Sequence, residues 1–521
     1  MNFERLVAEL PGKKAAVYTF EHGKPVRRPH AAVADDVEAT KARLLSWGVR
    51  PGMRVGIYAP NSYAWLVHDL ALIAIGAVSM PFTDDFAGQI DQALLDRYDI
   101  GLLLLSRKHA RLFAQMPAHV AFLDGDNGAV QARERVVPGD ADLDDQLSLV
   151  FSSGSAGGLK GLVISRKGVL DTLPPIAEAI GFRPGDRILM FLPMANFQQR
   201  NMCYGALWLD IDLIITDYTQ LFSAMRQLQP TVLVGPPVLF QMAYADFEKL
   251  PTGKQLWMRL VGSLLSWLPG GALRLSLARR LLRPFHEQFG GRMRVLVTGM
   301  APIRRKTGAF FRAMHLPLCE SYGMVESGSL TFRPAGSRKF GSVGRPLRGV
   351  QLSFEADGEI IVSRENPLTL RYFQCADGEN ERTFVGGKKV ATGDIGRLDG
   401  DGDLFLLGRK KELIVTAGGY KVHPEIIEQE INNCPDVAHA VIFLNPGASQ
   451  LTCVVDMHEP GNAEARARVQ AHVRSLKSTR SAAQFVEIIF ADDGFSRDNG
   501  LLRPNLKIDR RAVEARYGQT S

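Results

Sequence analysis

The 521-residue sequence predicts an α/β protein built from a large N-terminal domain and a small α+β C-terminal domain. Short apolar strands alternate with helical stretches up to about residue 297, which predicts mainly parallel sheets covered by helices. Near residue 350 the pattern changes to short strands broken by Asp-Gly turns, which predicts a small β-barrel-like portion. We place the N-terminal domain at residues 1–409 and the C-terminal domain at 410–521.

The individual elements follow the spacing of the apolar residues. Helical spacing predicts helices over 35–47, 63–77, 424–431 and 463–476, the third of them begun by a proline. Short apolar runs predict strands over 54–58, 100–105, 187–192, 211–215, 231–234, 293–297, 437–444 and 451–456. Antiparallel strands are predicted within 351–363 and 401–407. The stretch 492–507, rich in Asp, Asn, Gly and Pro, predicts a long loop.

Composition limits the classes of protein to consider. The chain is 46% hydrophobic and 22% charged, which is ordinary for a globular protein, and no apolar run approaches the length of a membrane span. The first residues lack the basic and then apolar pattern of a signal peptide. Five cysteines are scattered without a CxxC pair, which favours neither a zinc site nor a disulfide framework. These features predict a cytoplasmic protein.

The net charge of +7 is concentrated between residues 254 and 292, where seven basic residues accompany one acid. Trp257, Trp267 and several leucines are interleaved with these charges. One interpretation is a weak peripheral contact with anionic lipid, and the other is a pair of ordinary surface helices with solvated arginines. Nucleic-acid binding is not expected, because no aromatic-studded basic strand or recognition helix accompanies the charge.

A loop rich in glycine and serine separates two apolar stretches within residues 149–164. Glycines let main-chain N–H groups converge on anionic oxygens, serine hydroxyls add donors, and Lys160 adds a positive charge. The loop therefore predicts a polyphosphate cradle, although a plain flexible hairpin has the same composition. It is not a P-loop, since no Gly-Lys-Ser/Thr occurs. The cradle residues are Ser152, Ser153, Gly154, Ser155, Gly157 and Lys160.

This loop resembles the Ser/Thr-Ser-Gly-Ser/Thr-Thr-Gly-x-Pro-Lys-Gly signature of the adenylate-forming superfamily, with Ala156 in place of a Thr and Leu159 in place of the Pro. Four further segments match in the same order. Residues 298–302 resemble the turn that lines the adenine pocket, which implies roles for Gly299, Met300 and Ala301. Residues 320–326 resemble the Tyr-Gly-x-Thr-Glu motif, with Val325 in place of Thr.

By that second match, Ser321, Tyr322 and Gly323 contact the nucleotide, with Tyr322 stacked on adenine, and Glu326 helps to hold Mg²⁺. The chemistry suits these residue types, because a flat base prefers an aromatic face and a hard cation prefers carboxylate oxygen. Residues 391–394 match a Thr-Gly-Asp segment whose Asp394 accepts hydrogen bonds from ribose hydroxyls.

Residues 408–419 look like the inter-domain hinge of long-chain acyl-CoA synthetases. The match implies that Arg409 contacts ribose or phosphate, that Lys411 is the pivot of a mobile C-terminal domain, and that Gly418 lines the thiol channel. Residues 499–510 resemble the C-terminal motif of fatty acyl-CoA synthetases, which makes Lys507 the catalytic lysine. Asn196 stands where the family commonly has a His near the carboxylate site.

The resemblance implies an acid–thiol ligase that uses ATP and Mg²⁺ to convert a fatty or aryl carboxylic acid to acyl-AMP and then to a thioester with CoA. Glu326, Lys160 and Lys507 are its expected catalytic residues. One alternative is an acyl-AMP ligase that loads the pantetheine of a carrier protein. A second alternative is a non-catalytic adenylate or acyl binder, motivated by Leu159, Asn196 and Val325. The acyl pocket is expected between the helix after Pro193 and residues 235–241. Its candidate lining residues, which fit a core role equally well, are Met202, Cys203, Tyr204, Trp208, Val238 and Met300.

Overall fold

The computed structural model describes residues 3–518 except 22, 126, 134–144, 154–158, 270, 317, 338, 416–420, 446–450, 477–485 and 503–507. Its strands, in chain order, are β1 (Ala16–Glu21), β2 (Lys24–Pro29), β3 (Arg54–Tyr58), β4 (Val78–Pro81), β5 (Ile100–Leu105), β6 (Val120–Phe122), β7 (Gln146–Ser153), β8 (Leu159–Ser165), β9 (Arg187–Met190), β10 (Asp212–Ile215), β11 (Val232–Gly235), β12 (Val295–Thr298), β13 (Leu318–Met324), β14 (Gly328–Arg333), β15 (Ser342–Pro346), β16 (Gln351–Phe354), β17 (Glu359–Ser363), β18 (Thr369–Phe373), β19 (Phe384–Val385), β20 (Lys389–Leu398), β21 (Leu404–Arg409), β22 (Ile414–Val415), β23 (Lys421–Val422), β24 (Val437–Leu444), β25 (Leu451–Met457) and β26 (Val486–Phe490).

The helices accompany these strands along the chain. They are α1 (Phe3–Ala8), α2 (His30–Ser46), α3 (Tyr63–Ile75), α4 (Gln92–Arg97), α5 (Arg107–Ala110), α6 (Arg166–Ile180), α7 (Phe197–Leu209), α8 (Leu221–Leu228), α9 (Pro237–Glu248), α10 (Thr252–Ser266), α11 (Gly271–Leu281), α12 (Arg283–Gln288), α13 (Arg305–Ala313), α14 (Glu379–Thr383), α15 (Pro424–Ile431), α16 (Ala463–Ser475) and α17 (Arg510–Tyr517). No helix among the described residues combines the length and the apolar character that a membrane crossing requires.

Two large sheets form most of the molecule. The first has 14 strands, and its run β13-β12-β11-β9-β10-β1 is parallel throughout. The second has seven strands, with β6, β5, β3, β4 and β7 parallel and the hairpin β7–β8 at one end continued by β18. Because parallel strands end together, the residues that follow β12 and β13 lie at one edge of the first sheet. The predicted α/β class is confirmed.

The sheets share one hydrophobic core, in which α3, α6 and α7 supply most of the helical side chains. A buried polar network crosses this core: Arg200 on α7 donates to Asp69 on α3 (3.1 Å) and to Ser148 on β7 (2.7 Å). The Tyr204 hydroxyl donates to the other oxygen of Asp69 (2.5 Å). Because every charge in this network has a partner, burial of Arg200 and Asp69 is tolerated.

The antiparallel strands predicted after residue 350 are present, but they extend the first sheet. The order β16-β17-β20-β21-β15 continues through antiparallel β14 into the parallel strands, and the described residues form no closed barrel. The reason is that β15 pairs with β14 on one side and with β21 on the other. The antiparallel strands therefore continue the hydrogen-bonded ladder that begins at the parallel strands.

Residues 410–518, called here the C-terminal unit, build hydrophobic clusters of their own. One cluster draws on α15, α16, β24 and β25, and the other on β24, residues 495–501 and α17. Strands β24, β25 and β26 form a separate three-stranded sheet, with β24–β25 antiparallel and β25–β26 parallel. The remaining clusters use only residues before 410.

Candidate functional site

The Gly/Ser loop lies where β7 ends and β8 begins. These strands pair antiparallel, with Ser152 opposite Lys160 and Ser153 opposite Leu159. The predicted cradle residues Gly154, Ser155 and Gly157 lie outside the described residues, as do the side chains of Ser152 and Ser153. The loop therefore stays a prediction, and what the structure places is its frame: a hairpin at the end of the second sheet.

Lys160 points into a cluster of charged and aromatic side chains. Its ammonium forms an ion pair with Glu379 on α14 and lies 5.1 Å from the centroid of the Tyr372 ring on β18. Burial, and next the positive charge of Lys411, lower the pKa of Lys160, while the carboxylate of Glu326 opposes this shift. Three residues that the sequence places far apart, Lys160, Glu326 and Lys411, therefore share one electrostatic environment.

Glu326 lies between β13 and β14 and is oriented by β18. The Tyr372 hydroxyl donates to Glu326 Oε1 (2.9 Å), and the Thr369 backbone N–H donates to the main-chain oxygen of Glu326 (3.0 Å). Burial, followed by the charge of Glu326, raises the pKa of Tyr372, so this phenol stays protonated and remains a donor. The main-chain oxygen of Val325 accepts from the Thr369 hydroxyl (2.9 Å), which adds to the same anchoring.

Tyr322 on β13, Asp394 on β20 and Arg409 on β21 meet within the first sheet. The Tyr322 hydroxyl donates to Asp394 Oδ2 (2.6 Å), and Arg409 Nε lies 2.7 Å from Asp394 Oδ1. Strand register explains the pair, because Asp394 on β20 lies opposite Arg409 on β21. Burial raises the pKa of Asp394, and the Arg409 guanidinium opposes that shift. Burial, and next the charge of Asp394, raise the pKa of Tyr322 well above its usual value.

The turn after β12 lies so close to the main chain of β13 that it restricts which residues fit. A Cβ on Gly299 would lie 2.8 Å from the Ser321 main-chain oxygen, so the close approach of this turn to β13 requires glycine. Met300 has φ of 69°, a left-handed conformation that non-glycine residues adopt rarely, and its side chain is exposed, as is Ala301. A Cβ on Gly323 would meet the Gly328 oxygen at 2.5 Å. The structure thus places Gly299, Ser321 and Gly323 together.

The three basic residues that follow Gly408 have three different environments. Arg409 pairs with Asp394, and Lys410 pairs with Asp357 (2.8 Å) and Glu359 (2.6 Å). Lys411 lies in the 3-10 turn Lys410–Glu412, close enough to Lys160 to lower its pKa. This run is therefore no uniform solvated surface. Gly418 lies outside the described residues.

Lys507 also lies outside the described residues, but its flanks are placed. Leu502 and Ile508 pair in an isolated antiparallel bridge that closes the segment between them. Arg510, at the start of α17, forms ion pairs with Glu412 (3.1 Å) and with Glu428 on α15. The end of the predicted catalytic motif is therefore tied to the residue that follows Lys411.

Sequence reasoning missed Tyr372, Glu379 and Glu359, which orient Glu326, Lys160 and Lys410. None of them belongs to a recognisable motif, and each reaches the site through strand or helix placement. The Asp357-Gly358 turn before Glu359 was the only local signal. Of the acyl-pocket candidates, Cys203 and Tyr204 are fully buried and Tyr204 is committed to Asp69, which favours the core role that the sequence left open for them.

The residues present fit a nucleotide and a magnesium ion held partly by its phosphates. A buried carboxylate braced by a guanidinium offers an acceptor for ribose hydroxyls. Among the described residues, no group of three or more His, Cys, Asp or Glu side chains could hold a metal by itself. A single oriented carboxylate, Glu326, suits Mg²⁺, which is usually bound through one or two carboxylates plus substrate phosphates.

Comparison with known proteins assigns this arrangement to a family. Residues 3–363 match the model of the family described as AMP-binding enzyme. The chain is 28% identical over 549 residues to the long-chain-fatty-acid–CoA ligase FadD15 of Mycobacterium bovis, covering 94% of this chain and 90% of that protein. It is 20% identical over 630 residues to the chloroplastic long-chain-fatty-acid–[acyl-carrier-protein] ligase AEE15 of Arabidopsis thaliana, covering 98% and 85%. Among solved structures, O-succinylbenzoate Coenzyme A synthetase (MenE) from Bacillus subtilis in complex with ATP and magnesium ion superposes with a TM-score of 0.71, at 18% identity over 98% of both chains.

Proposed function

Because the chain belongs to the AMP-binding enzyme family, we propose that it is an ATP-dependent acyl-CoA synthetase that acts on a fatty or aryl acid. The observation that carries the proposal is the Tyr322–Asp394–Arg409 cluster, in which a carboxylate braced by a guanidinium on antiparallel strands meets a tyrosine near the end of the parallel strand β13. The relatives named as fatty-acid–CoA ligases and the MenE complex with ATP and magnesium support the same reaction.

Each part of the nucleotide has a candidate contact. Asp394 accepts from the ribose hydroxyls, Arg409 neutralises ribose or phosphate, and the turn around Gly299, Met300 and Ala301 lines the adenine pocket beside Tyr322. Tyr322 is only 9% exposed and its hydroxyl is committed to Asp394, so a face of its ring is what remains for the base. The loop of Ser152, Ser153, Gly154, Ser155 and Gly157 holds the phosphates, together with Lys160.

Activation then rests on positioning and charge. A carboxylate oxygen of the substrate attacks the α-phosphorus of ATP, and the bond from that phosphorus to the bridging oxygen of pyrophosphate breaks, giving acyl-AMP. Lys507 neutralises the carboxylate and α-phosphate, and Lys160 the leaving pyrophosphate. Glu326 holds Mg²⁺, whose charge lowers the repulsion between phosphate and carboxylate when it is bound.

Thioester formation follows in a second arrangement of the same chain. The C-terminal unit rotates about Lys411, which withdraws Lys507 and opens a path past Gly418 for a thiol. The thiol sulfur attacks the acyl carbon of acyl-AMP, loses its proton and displaces AMP. Division of the chain at 409/410 agrees with the separate clusters of the C-terminal unit.

CoA is the favoured acceptor, and a carrier-protein pantetheine is the alternative. Only 72 positions separate Tyr322 from Asp394, and the elements described between them belong to the two large sheets or to α14, which favours CoA over an acceptor that needs an inserted element. The similarity to an acyl-carrier-protein ligase supports testing a carrier-protein pantetheine as the alternative acceptor. Free CoA and a purified holo-carrier protein, offered separately to the enzyme with ATP and acid, distinguish them by which one becomes acylated.

Pyrophosphate exchange tests the proposal. The protein is incubated with ATP, Mg²⁺, labelled pyrophosphate and a panel of acids running from acetate through long-chain and aryl acids. We expect label to enter ATP only with an acid present, and most with an apolar one. Absence of exchange with every acid, in protein that still binds ATP, would favour the non-catalytic adenylate binder over the enzyme.

A peripheral membrane contact is favoured by one surface, formed by α10 and α11. Leu256, Trp257, Leu260 and Leu264 are exposed on α10, while Met258, Gly262 and Leu265 are buried on its other face. Trp267, just after the helix, is 85% exposed. Arg279 and Arg283 have internal partners, but Lys254 and Arg280 extend into solvent beside the apolar side chains. An apolar face with basic neighbours suits a cytoplasmic leaflet that carries anionic lipid.

Vesicle sedimentation tests this contact. We expect the protein to sediment with phosphatidylserine-containing vesicles and to be released by salt, while neutral vesicles leave it in the supernatant. A Trp257→Ser, Trp267→Ser variant should lose binding and keep pyrophosphate exchange, because neither side chain lies near the site. Equal behaviour with both vesicle types would leave α10 and α11 as ordinary surface helices.

A further inference from the structure

A β-bulge in the C-terminal unit presents a carbonyl to the rest of the protein. Strand β24 pairs with β25 through Val437 opposite Met457 and then His439 opposite Asp456, so Ala438 is an extra residue without a partner in the ladder. Its main-chain oxygen instead accepts a hydrogen bond from Nη2 of Arg304. The bulge therefore creates the acceptor for a contact across the boundary between residues 3–409 and the C-terminal unit.

Arg304 is placed by the adenine-side turn. It follows Ala301 and Pro302 and forms the N-cap of α13, with its main-chain oxygen accepting from Gly308 N (3.1 Å). Burial lowers the pKa of its guanidinium, and the charge of Glu248, at the end of α9, opposes that shift. A guanidinium kept in such a place is costly unless its N–H groups find acceptors, so loss of the Ala438 contact would be felt.

The same boundary holds a histidine of the C-terminal unit. His458 follows β25, and burial, then the positive charge of Arg304, lower its pKa. Asp456, His439 and Glu248 act on it as well. Arg304 and Glu248, from residues before 410, and His458, from the C-terminal unit, thus interact electrostatically across the boundary. Of the three, Arg304 donates a hydrogen bond to the main chain of the C-terminal unit.

In the orientation that includes this contact, other described residues of the C-terminal unit also face the nucleotide side. Arg497, which precedes the predicted catalytic motif, acts electrostatically on Tyr218, which follows β10 at the edge where the parallel strands end. At the opposite end of the boundary, Lys411 lies within electrostatic range of Lys160. Two separate places in the C-terminal unit, Lys411 and Arg497, therefore face the nucleotide side of the protein.

We propose that Arg304 is a positioning residue that holds the C-terminal unit in the adenylation arrangement, by donating to the bulged carbonyl of Ala438. The proposal rests on the proposed function and adds to it a physical link between the adenine-side turn and the C-terminal unit. Because residues 299–304 run directly from this turn into the contact, nucleotide on the turn stabilises the arrangement in which acyl-AMP forms. The link is not needed once acyl-AMP exists and the unit rotates.

The two half-reactions test the proposal separately. In Arg304→Ala we expect pyrophosphate exchange to fall about tenfold, as expected when loss of one charge-assisted hydrogen bond shifts a two-state equilibrium. Thioester formation from supplied acyl-AMP should stay within about twofold of wild type, since that step uses the other arrangement. Arg304→Lys keeps the charge but not the geometry of the guanidinium, and should restore exchange only in part.

Arg305→Ala is the matched control. It removes the same charge one residue along, but Arg305 is exposed and lies 5.4 Å from the centroid of the Phe340 ring, within the N-terminal part. We expect both half-reactions to be unchanged in it. Hydrogen exchange by mass spectrometry adds a readout that needs no activity: peptides covering 437–444 and 455–460 should exchange faster in Arg304→Ala and Arg304→Lys, but not in Arg305→Ala.

The outcomes separate the two proposals. If the wild-type protein catalyses neither half-reaction, the proposed function fails, and the hydrogen-exchange data alone decide whether Arg304 holds the C-terminal unit. The positioning role is overturned if the wild type is active, Arg304→Ala loses both half-reactions equally or loses neither, and hydrogen exchange at 437–444 does not change. Arg304→Lys carries the test if Arg304→Ala does not fold.

Discussion

At the scale of single residues, the site is defined by which charge each side chain faces. Arg409, Lys410 and Lys411 are consecutive in sequence, yet they face Asp394, the acids Asp357 and Glu359, and Lys160 respectively. A run of like charges is costly only when its members share one environment. Arg409 and Lys410 therefore each have acidic partners of their own, whereas Lys411 faces the like charge of Lys160.

The Asp394 carboxylate gives the first prediction. Asp394→Asn keeps the shape but removes the charge that braces Arg409 and accepts from ribose, so KM for ATP in pyrophosphate exchange should rise roughly ten- to a hundredfold. Tyr322→Phe removes one neutral donor and leaves the ion pair, so its effect should be smaller, about two- to tenfold. An equal or larger loss in Tyr322→Phe would mean that Asp394 is not the group that holds the ribose.

Glu326 and Tyr372 give a prediction about magnesium. Glu326→Ala should reduce adenylation by about a hundredfold or more, because the ion loses its protein carboxylate. Tyr372→Phe leaves the carboxylate but removes its hydroxyl partner, and should raise the magnesium concentration for half-maximal exchange roughly tenfold. Circular dichroism checks the fold of both variants. Retained turnover in a folded Glu326→Ala protein would remove Glu326 from the metal site.

At the scale of elements, the spacing of apolar residues predicted those strands and helices that have one clearly apolar face. The strands 54–58, 100–105 and 437–444 and the helix 424–431 have the predicted bounds, because turn residues flank a clear apolar pattern. The hairpin β1–β2 was missed, since β2 carries Lys24, Arg27, Arg28 and two prolines and reads as polar chain. Helix α2 begins at His30, earlier than predicted, because burial of His30, Val33 and Ala34 extends its apolar face.

The site was less predictable than its strands because its contacts join distant elements. Motifs located Tyr322, Asp394 and Arg409, and the structure brings those three together. The partners Tyr372 and Glu379 depend on where β18 and α14 lie against β8, which no local pattern encodes. Antiparallel pairing after residue 350 was predicted, but whether such strands close or continue a sheet is decided by the neighbours of β15.

Helix α15 gives a prediction about pH. Burial, and next the hydrogen bond and charge of Glu412, raise the pKa of Glu425 to about 8, while Arg510 opposes this. The folded protein then binds this proton more tightly than the unfolded chain, so stability falls as pH rises between about 4.5 and 8. In Glu425→Gln the neutral amide does not titrate. The thermal midpoint of the variant minus that of wild type should therefore increase as the pH rises from about 4.5 to 8.

Scanning calorimetry at several pH values measures this difference. Glu464→Gln, which changes an exposed acid at the start of α16, is the matched control and should follow wild type at each pH. Since Glu412 adjoins Lys411, the same titration should loosen the hinge side of α15. Parallel curves for Glu425→Gln and wild type would show that the Arg510 guanidinium keeps Glu425 ionised in the folded protein.

At the scale of the whole molecule, the two sheets and the C-terminal unit divide the work of the reaction. The parallel strands bring the turn after β12 and the end of β13 to one edge, and the hairpin β7–β8 frames the Gly/Ser loop. The C-terminal unit keeps its own hydrophobic clusters, and its described contacts with the rest include polar ones made by Arg304 and Lys410. A unit with its own core and a polar boundary can change orientation without unfolding.

The last prediction separates the two arrangements through Lys507 and Lys411. Lys507→Ala removes a charge needed only while acyl-AMP forms, so pyrophosphate exchange should fall by about a hundredfold or more, while thioester formation from supplied acyl-AMP stays nearly normal. Lys411 lies in a 3-10 turn, and proline holds φ near the value that such turns use. Lys411→Pro should therefore keep adenylation and lose thiol transfer, because the hinge can no longer change φ. Both half-reactions are measured on each purified variant, with acyl-AMP supplied for the second. Equal loss of both half-reactions in both variants would mean that one arrangement of the C-terminal unit serves the whole reaction.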